Sequence, residues 1–213
     1  MATVFVGLSG GVDSAVSAAL LKEQGHDVVG AFIKIWRPEF IECPWQKERL
    51  DAMRVAAHLG IPFKEIDLSD AYKHSVIDSM IADYEAGITP NPDILCNRAI
   101  KFGSFKEWAL REGAEKIATG HYARVEEKEG AYLLRRGKDE GKDQSYFLAR
   151  LTQKDLTVAQ FPVGGLTKPE VRELAKRFNL PVAAKRDSQG LCFVGEVSMR
   201  DFLARHTPLT KGA

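Results

Sequence analysis

The apolar run Val4–Leu8 opens directly into SGGVDS, and helical spacing begins at once over Asp13–Gln24. A buried strand that turns into a helix through two glycines leaves few folds open. It predicts the first β-α step of a parallel sheet. Later stretches repeat the step. Val28–Ile35 and Phe63–Asp67 read as strands. Gln46–Leu59 carries Leu50, Met53 and Ala57 at helical spacing and stops at Gly60. Asp70–Ala86 sets Tyr72, Val76, Met80 and Tyr84 near one face and stops at Gly87. Between them Trp36–Trp45 reads as an irregular loop. Further on, Cys96–Glu112 is an expected helix and Lys116–Thr119 a fourth strand. Ala123–Glu127 and Ala131–Arg135 make a hairpin across KEG. Pro169–Phe178 is a helix entered from Thr167 or Lys168, Pro181–Gly195 a loop, and Ser198–Ala204 a last short helix. The expected fold is α/β: a parallel sheet with helices on both faces and a short helical C-terminal extension.

The loop itself suggests chemistry. Gly10 and Gly11 lack a Cβ and let backbone approach a ligand. Ser9, Asp13 and Ser14 offer side chains at the start of a helix, where N–H groups and the dipole favour an anion. Yet no lysine follows, so the P-loop pattern G-x-x-x-x-G-K-[ST] is not met. An Asp in the same turn repels bare phosphate but suits a magnesium-bound one. A lone GG turn is more often a structural turn with an Asp cap. The entire string between strand and helix favours the functional reading.

This string resembles the PP-loop of ATP pyrophosphatases, which cut ATP between its α and β phosphates. They attach AMP to a carbonyl oxygen and release pyrophosphate. The resemblance implies a Rossmann-like, adenine nucleotide alpha hydrolase-like domain, with ATP and Mg2+ as cofactors. It also accounts for the missing lysine. A P-loop lysine serves the terminal phosphate, whereas this loop would hold pyrophosphate as a leaving group.

The cysteines narrow the choice. Cys43, Cys96 and Cys192 are too few and odd in number for a disulfide framework, and their spacing fits no zinc site. Cys96 sits in TPNPDILCN, where Pro90 and Pro92 stiffen the chain and present Asp93 and Cys96 near a helix start. A helix N-terminus lowers a thiol pKa. Cys192 sits in KRDSQGLCFVG, with Lys185 and Arg186 nearby and glycines that let the sulfur move. Either cysteine alone is more often a small buried hydrophobe; together, in polar surroundings, they suggest sulfur chemistry. Charge adds a partner. Residues 1–95 carry 8 Lys and Arg against 14 Asp and Glu, a balance of −6. Residues 96–213 carry 22 against 15, a balance of +7. A basic second half suits a polyanion.

With these strings the chain closely resembles the bacterial tRNA-uridine 2-sulfurtransferases, the MnmA (TrmU) family. The shared pieces are GLSGGVDS, GITPNPDILCNRAIKFG, ATGHYAR, GKDQSYFL, FPVGGLTKPEVRELA and DSQGLCFVGE, in family order over roughly residues 3–203. The resemblance implies ATP-dependent 2-thiolation of the wobble uridine in tRNAs for Lys, Glu and Gln. It implies that Gly7, Leu8, Ser9, Gly10, Gly11, Val12, Asp13 and Ser14 hold the ATP phosphates. Ile33 contacts the adenine side through its backbone, and Gly120 is a further nucleotide contact. Asn91, Pro92 and Asp93 meet the flipped uridine, with Asp93 the acid/base group. Cys192 carries sulfur as a persulfide, and Cys96 is its partner nucleophile. Lys142, Asp143 and Gln144 contact tRNA. His121 lies near the site or is a satisfied structural histidine. Arg98, Lys101, Arg135, Arg136 and Lys138 are phosphate contacts on charge alone. Cys43 is a spectator. An iron–sulfur cluster on Cys96, Cys192 and either Asp93 or Cys43 is the less favoured arrangement.

Residues 1–160 are expected to form the nucleotide-binding catalytic domain, and residues 161–213 to begin a tRNA-binding region. Family members usually continue through a middle domain and a C-terminal β-barrel, so a fragment or a natural short form is expected. The expected partners are tRNA and a sulfur-donor protein. No apolar run approaches ~18 residues, so a cytoplasmic protein without membrane contact is expected. The alternatives are a PP-loop ligase adenylating a small molecule, a domain that binds tRNA or a sulfur carrier without turnover, and sulfur insertion at another tRNA position or base.

Overall fold

The computed structural model describes residues 1–38, 45–186 and 199–205. Five strands form a parallel sheet in the order β3-β2-β1-β4-β7. They are β1 (Thr3–Gly7), β2 (Asp27–Lys34), β3 (Phe63–Asp67), β4 (Lys116–Ala118) and β7 (Ala159–Gln160). Val4 stands between Val28 on one side and Lys116 on the other. A separate antiparallel hairpin pairs β5 (Ala123–Lys128) with β6 (Ala131–Arg136). Its turn takes Glu129 and Gly130 through positive φ, which a tight two-residue hairpin loop requires.

Helices cover both faces. They are α1 (Val12–Glu23), α2 (Trp45–Leu59), α3 (residues 69–85), α4 (residues 92–111), α5 (Gln153–Val158), α6 (Lys168–Arg177) and α7 (Met199–Leu203). Strand alternation divides the core. Val4 and Val6 of β1 face α1, α2 and α6 through Ala15, Val16, Val55, Ala56, Val171 and Ala175. Phe5 faces the other way and packs with Ile117 and with Phe102, Phe105 and Ala109 of α4. A third cluster joins Tyr72, Val76, Ile77 and Met80 of α3 to Cys96 and Ile100 of α4 and to Phe202 and Leu203 of α7. Burying each large apolar side chain is worth roughly 1.5–3 kcal/mol.

The described structure bears out the parallel sheet with helices on both sides. It differs from the sequence reading in three places. Helix α4 begins at Pro92, not at Cys96, because the Asn91 side chain caps it and proline suits the first turn. Both α3 and α4 contain wide π-type turns, at Lys73–Asp78 and Asn97–Phe105. The segment after the hairpin holds a 3-10 turn at Ser145–Leu148, then α5 and β7, where no element was expected.

The strand order fixes where a ligand binds. The chain leaves β1 toward β2 on one side, while β4 pairs on the other side. Open α/β sheets bind ligands at the carboxyl edge of such a reversal. Here that edge is formed by the loop after Gly7 and the loop after Ala118.

Candidate functional site

The loop after β1 is built to hold its own shape. Gly10 has φ +71°, and a Cβ there would lie 2.4 Å from the Glu48 carbonyl oxygen of α2. Only glycine fits a left-handed residue pressed against backbone. The Ser14 hydroxyl accepts from Ser9 N at 3.2 Å and donates to the Gly11 carbonyl at 3.2 Å. Helix α1 starts after Gly11 with no side-chain cap. Its first turn thus presents N–H groups and the positive dipole end to the crevice.

Two lysines from the far end of the chain reach this loop. Lys168, the first residue of α6, sets its Nζ 2.7 and 2.9 Å from the two carboxylate oxygens of Asp13. The Tyr122 hydroxyl donates to Asp13 Oδ1 at 2.8 Å. Lys168 is itself fixed, since Asp139 accepts its backbone N–H at 2.8 Å. The Lys185 ammonium donates to the Gly10 carbonyl at 2.9 Å and to Asp51 of α2 at 2.8 Å. Two ammonium groups from α6 and the segment after it thus stand at the loop, each ion-paired with a carboxylate.

Across the crevice, Gly120 is pressed against the first turn of α1. A Cβ there would lie 2.7 Å from Ser14 N and 2.8 Å from the Asp13 carbonyl carbon. Next to it, His121 is buried, with Nδ1 2.7 Å from Thr119 Oγ1 and Nε2 3.4 Å from Lys101 Nζ. An ammonium only donates, so Nε2 accepts and Nδ1–H donates to the threonine. Burial first, and then the Lys101 charge, push His121 well below its ordinary range, so the ring is neutral. Burial raises the Asp93 carboxyl above its usual range, and Lys101 opposes the rise. Phe102 and Phe161 pack on the imidazole at 6.3 and 6.0 Å between centroids.

The segment expected to bind the base begins a helix. Asn91 Oδ1 accepts from the N–H groups of Asp93 and Ile94 at 3.1 and 3.2 Å. Pro92 occupies the first turn of α4 and is buried. Cys96 lies at the fifth position of α4, in the apolar cluster with Ile100, Phe202 and Leu203. Its setting is thus a packed helix face and not the polar, N-terminal position expected from the sequence. The neighbouring Asn97 donates to the Phe147 carbonyl at 3.2 Å, which seats the Ser145–Leu148 turn on α4.

The remaining expected residues divide by role. Gln144 brackets Tyr122: its Oε1 accepts from Tyr122 N at 3.1 Å, and its own N–H donates to the Tyr122 carbonyl at 2.9 Å. Asp143 accepts from Gly137 N, Ser145 N and the Ser145 hydroxyl, with Arg136 at 3.3 Å. Burial would raise its carboxyl, but these donors hold it below the usual range. Lys142 is exposed at the head of the same loop. Ile33 lies near the carboxyl end of β2, its Cδ1 beside Gly7. Cys43 and Cys192 lie outside the described residues.

The description "tRNA methyl transferase HUP domain" fits residues 2–196. The chain belongs to that family. Among family proteins with curated names, the tRNA-specific 2-thiouridylase MnmA of Akkermansia muciniphila is 54% identical over 212 residues, covering 98% of this chain and 59% of the relative. The protein of the same name from Neisseria meningitidis serogroup A is 49% identical over 211 residues, covering 98% and 58%. The chain thus spans somewhat under six tenths of the curated relatives it matches. Solved structures share the fold at low identity. The U34-tRNA thiolase NcsA of Methanococcus maripaludis, with its [4Fe-4S] cluster, aligns with TM-score 0.57 at 20% identity, over 97% of this chain and 64% of that one. A 4-thiouridine synthetase–RNA complex with bound ATP aligns with TM-score 0.54 at 17% identity, over 97% and 50%.

In this HUP-domain chain, sequence reasoning missed Lys168 and Tyr122 and the contacts of Lys185 with Gly10 and Asp51. Each meets the loop only through contacts of long sequence separation. The signal for Lys168 was its place at the first turn of a helix with a Thr167 capping box, which fixes where it stands. Two implied groups can be tested against the residues present. At the loop, Asp13 is the carboxylate a magnesium ion would use, and Lys168 and Tyr122 already engage it. Such an ion fits only if Lys168 leaves Asp13. For a cluster, the described residues supply Cys96 and Asp93, two donors where a cluster takes about four. Among the described residues no helix is long and apolar enough to cross a membrane.

Proposed function

We propose that the chain adenylates and then thiolates C2 of a wobble uridine in tRNA, with ATP as the activating substrate. One juxtaposition carries this. Gly120 and His121 join the uncapped start of α1 on one side to Lys101 and the Asp93 region of α4 on the other. A nucleotide's phosphates and an acceptor base then meet at one strand end. The name shared by relatives about 50% identical, tRNA-specific 2-thiouridylase, supports sulfur insertion over methyl transfer.

The chemistry runs as follows. The α1 N-terminus and the Ser9–Ser14 turn bind the β and γ phosphates, with Lys168 supplying positive charge. The uracil, turned out of its stack, presents O2 to the α-phosphorus. The O2–P bond forms, the α–β bridge breaks, and pyrophosphate leaves with the electron pair. The Asp93 carboxylate takes the N3 proton; its raised pKa makes it the stronger base. The terminal sulfur of a Cys192 persulfide attacks C2, and AMP departs with the oxygen. The Cys96 thiolate then attacks the Cys192 sulfur, which frees 2-thiouridine and leaves a Cys96–Cys192 disulfide for an external thiol to reduce. A persulfide-bearing protein reloads Cys192.

The chain's tethers support that pairing. Lys185 is tied to the ATP loop, and α7 packs in the cluster of Cys96. Cys192 is seven residues from Lys185 and seven from Met199, which limits its reach from either anchor to about 24 Å of extended chain. We assign residues 1–160, completed by Lys168 and Lys185, to nucleotide chemistry and the rest of residues 161–213 to the beginning of the tRNA-binding region. The test is a thiolation assay with Mg-ATP, inorganic polysulfide as the persulfide-forming donor, a thiol reductant and unmodified tRNA for Glu, read by nucleoside mass spectrometry. Appearance of 2-thiouridine, lost in Cys96→Ser and Cys192→Ser, supports the proposal. Bound ATP with no thiolated product refutes it for this chain. Product that survives both substitutions refutes the sulfur route.

A further inference from the structure

Among the described residues, Lys101 stands at the site without an ion pair. Lys106 pairs with Asp155, Lys168 with Asp13 and Lys185 with Asp51. Lys101 is partly buried on the π-type stretch of α4, and among the described residues no carboxylate lies within ion-pair distance of it. Its hydrogen-bond partner is the neutral ring of His121, 3.4 Å away. The nearest carboxylate whose charge it feels, Asp93, makes no ion pair with it, so this half-buried ammonium has a desolvation cost and no directly bonded counter-charge. Such a group is poised for an anion that arrives with the substrate.

Its position says which anion. His121 follows Gly120, and Gly120 abuts Ser14 N and Asp13 at the start of α1. Lys101 therefore flanks the same strand end as the phosphate loop, from the side of α4 and Asp93. A phosphate chain lying from the loop toward Asp93 passes the α1 N-terminus with its β and γ groups. The group left next to Lys101 is the one bonded to the nucleoside. An external RNA phosphate, the role charge alone suggested, would need the ammonium turned outward, away from His121.

We propose that Lys101 is the cationic side of the α-phosphoryl subsite, and that neutral His121, braced by Thr119, holds its ammonium in place. This rests on the ATP reading above. In the adenylation step the α-phosphorus gains the uracil O2 and loses the bridging oxygen, while pyrophosphate takes the bonding pair and Asp93 the N3 proton. Lys101 exchanges no atoms. It donates hydrogen bonds to the non-bridging oxygens on which charge shifts, and it keeps hold of AMP until that group leaves.

The test separates phosphate from nucleoside. The affinities of AMP and adenosine are measured by calorimetry for the wild type, Lys101→Met and Lys101→Arg. Loss of a charge-assisted hydrogen bond predicts about 10- to 100-fold weaker AMP binding in Lys101→Met. Adenosine should stay within about threefold, since it lacks the phosphate that Lys101 would hold. Lys101→Arg, which keeps the charge, should recover part of the AMP affinity. With tRNA present, pyrophosphate release should fall about 100-fold in Lys101→Met, with a smaller change in ATP affinity. Equal weakening of AMP and adenosine, or no change in either, overturns the assignment. So does weaker tRNA binding with AMP affinity intact, which would return Lys101 to the RNA backbone. A wild type that binds neither ATP nor AMP brings down the ATP reading and this one together. A wild type that binds AMP but never releases pyrophosphate brings down the thiolation reading alone, and the AMP–adenosine ratio still decides on Lys101.

Discussion

Replacing Gly120 with alanine tests the junction between the two halves of the site. The added Cβ would lie 2.7 Å from Ser14 N, 2.8 Å from the Asp13 carbonyl carbon and 3.0 Å from Asp13 Cβ. Ordinary contact begins near 3.4 Å, so Ser14 N must retreat by about 0.7 Å. All three atoms belong to the first turn of α1, two of them backbone, and no flexible side-chain end can swing aside. Either α1 shifts along its packed face or β4 moves away from β1. Overpacking of this kind costs about 1–3 kcal/mol, or about 2–12 °C in Tm for a chain of this length. The same shift carries the N–H donors of the phosphate site off their positions. Losing one donor to a charged phosphate costs about 1.5–3 kcal/mol, about 10- to 100-fold in ATP affinity. Urea unfolding gives the first number and calorimetric ATP titration the second. The two are separable, because a variant with about 3 kcal/mol of stability left is more than about 99% folded. Lower stability with unchanged ATP affinity would show that the phosphate site does not depend on this contact. Unchanged stability would show that the clash is relieved at no cost, and would refute the packing argument.

Neighbouring glycines in VGGL should behave oppositely: a Cβ on Gly164 would lie 1.6 Å from the Ala123 carbonyl oxygen, whereas Gly165 has open space. Gly164→Ala should cost about 3 kcal/mol or more and Gly165→Ala within about 0.5 kcal/mol, measured by urea midpoints. Asn91→Ala removes the cap of α4 and should cost about 1 kcal/mol, with Asn91→Asp retaining most of it, again by urea midpoint. His121 is held neutral in the fold, so the unfolded chain binds the extra proton as pH falls. Its contribution is therefore constant well above its unfolded pKa of about 6.5, and stability drops by about 1.4 kcal/mol per pH unit below it until the folded pKa is reached. Unfolding of the wild type and His121→Gln between pH 5 and 8 should show this slope in the wild type and lose it in the variant.

Local signals carried much of the fold. Thr167 with Glu170 marks the start of α6 through a capping box, and the glycine after Glu129 marks the hairpin turn. SGGVDS marks the strand-to-helix loop at the sheet's carboxyl edge because its glycines and serines lie within six consecutive residues. NPD was misread for a physical reason. Asparagine followed by proline serves equally as a stiff turn or as an N-cap with its first helical residue, and only the accepted N–H bonds decide between them. That choice moved the helix start by four residues and put Cys96 inside a packed face. β7 is two residues long and earns its strand character from β4 alone, so no periodicity could reveal it. Lys101, expected as a phosphate contact on charge alone, has a buried histidine as its hydrogen-bond partner. Lys168 and Lys185 stayed illegible because their partners stand 155 and 175 residues away.

Those two separations bear on how the protein is made. A ribosome delivers the phosphate loop first and its lysines last. Until Lys168 and Lys185 emerge, the growing chain has the glycines and serines of an ATP site but leaves Asp13 without its ammonium and Gly10 without its brace. A chain halted near the end of the hairpin would display the most recognisable part of the sequence and have little means of holding pyrophosphate. If the proposed ATP site exists, nucleotide binding during synthesis would mark translation past Lys185.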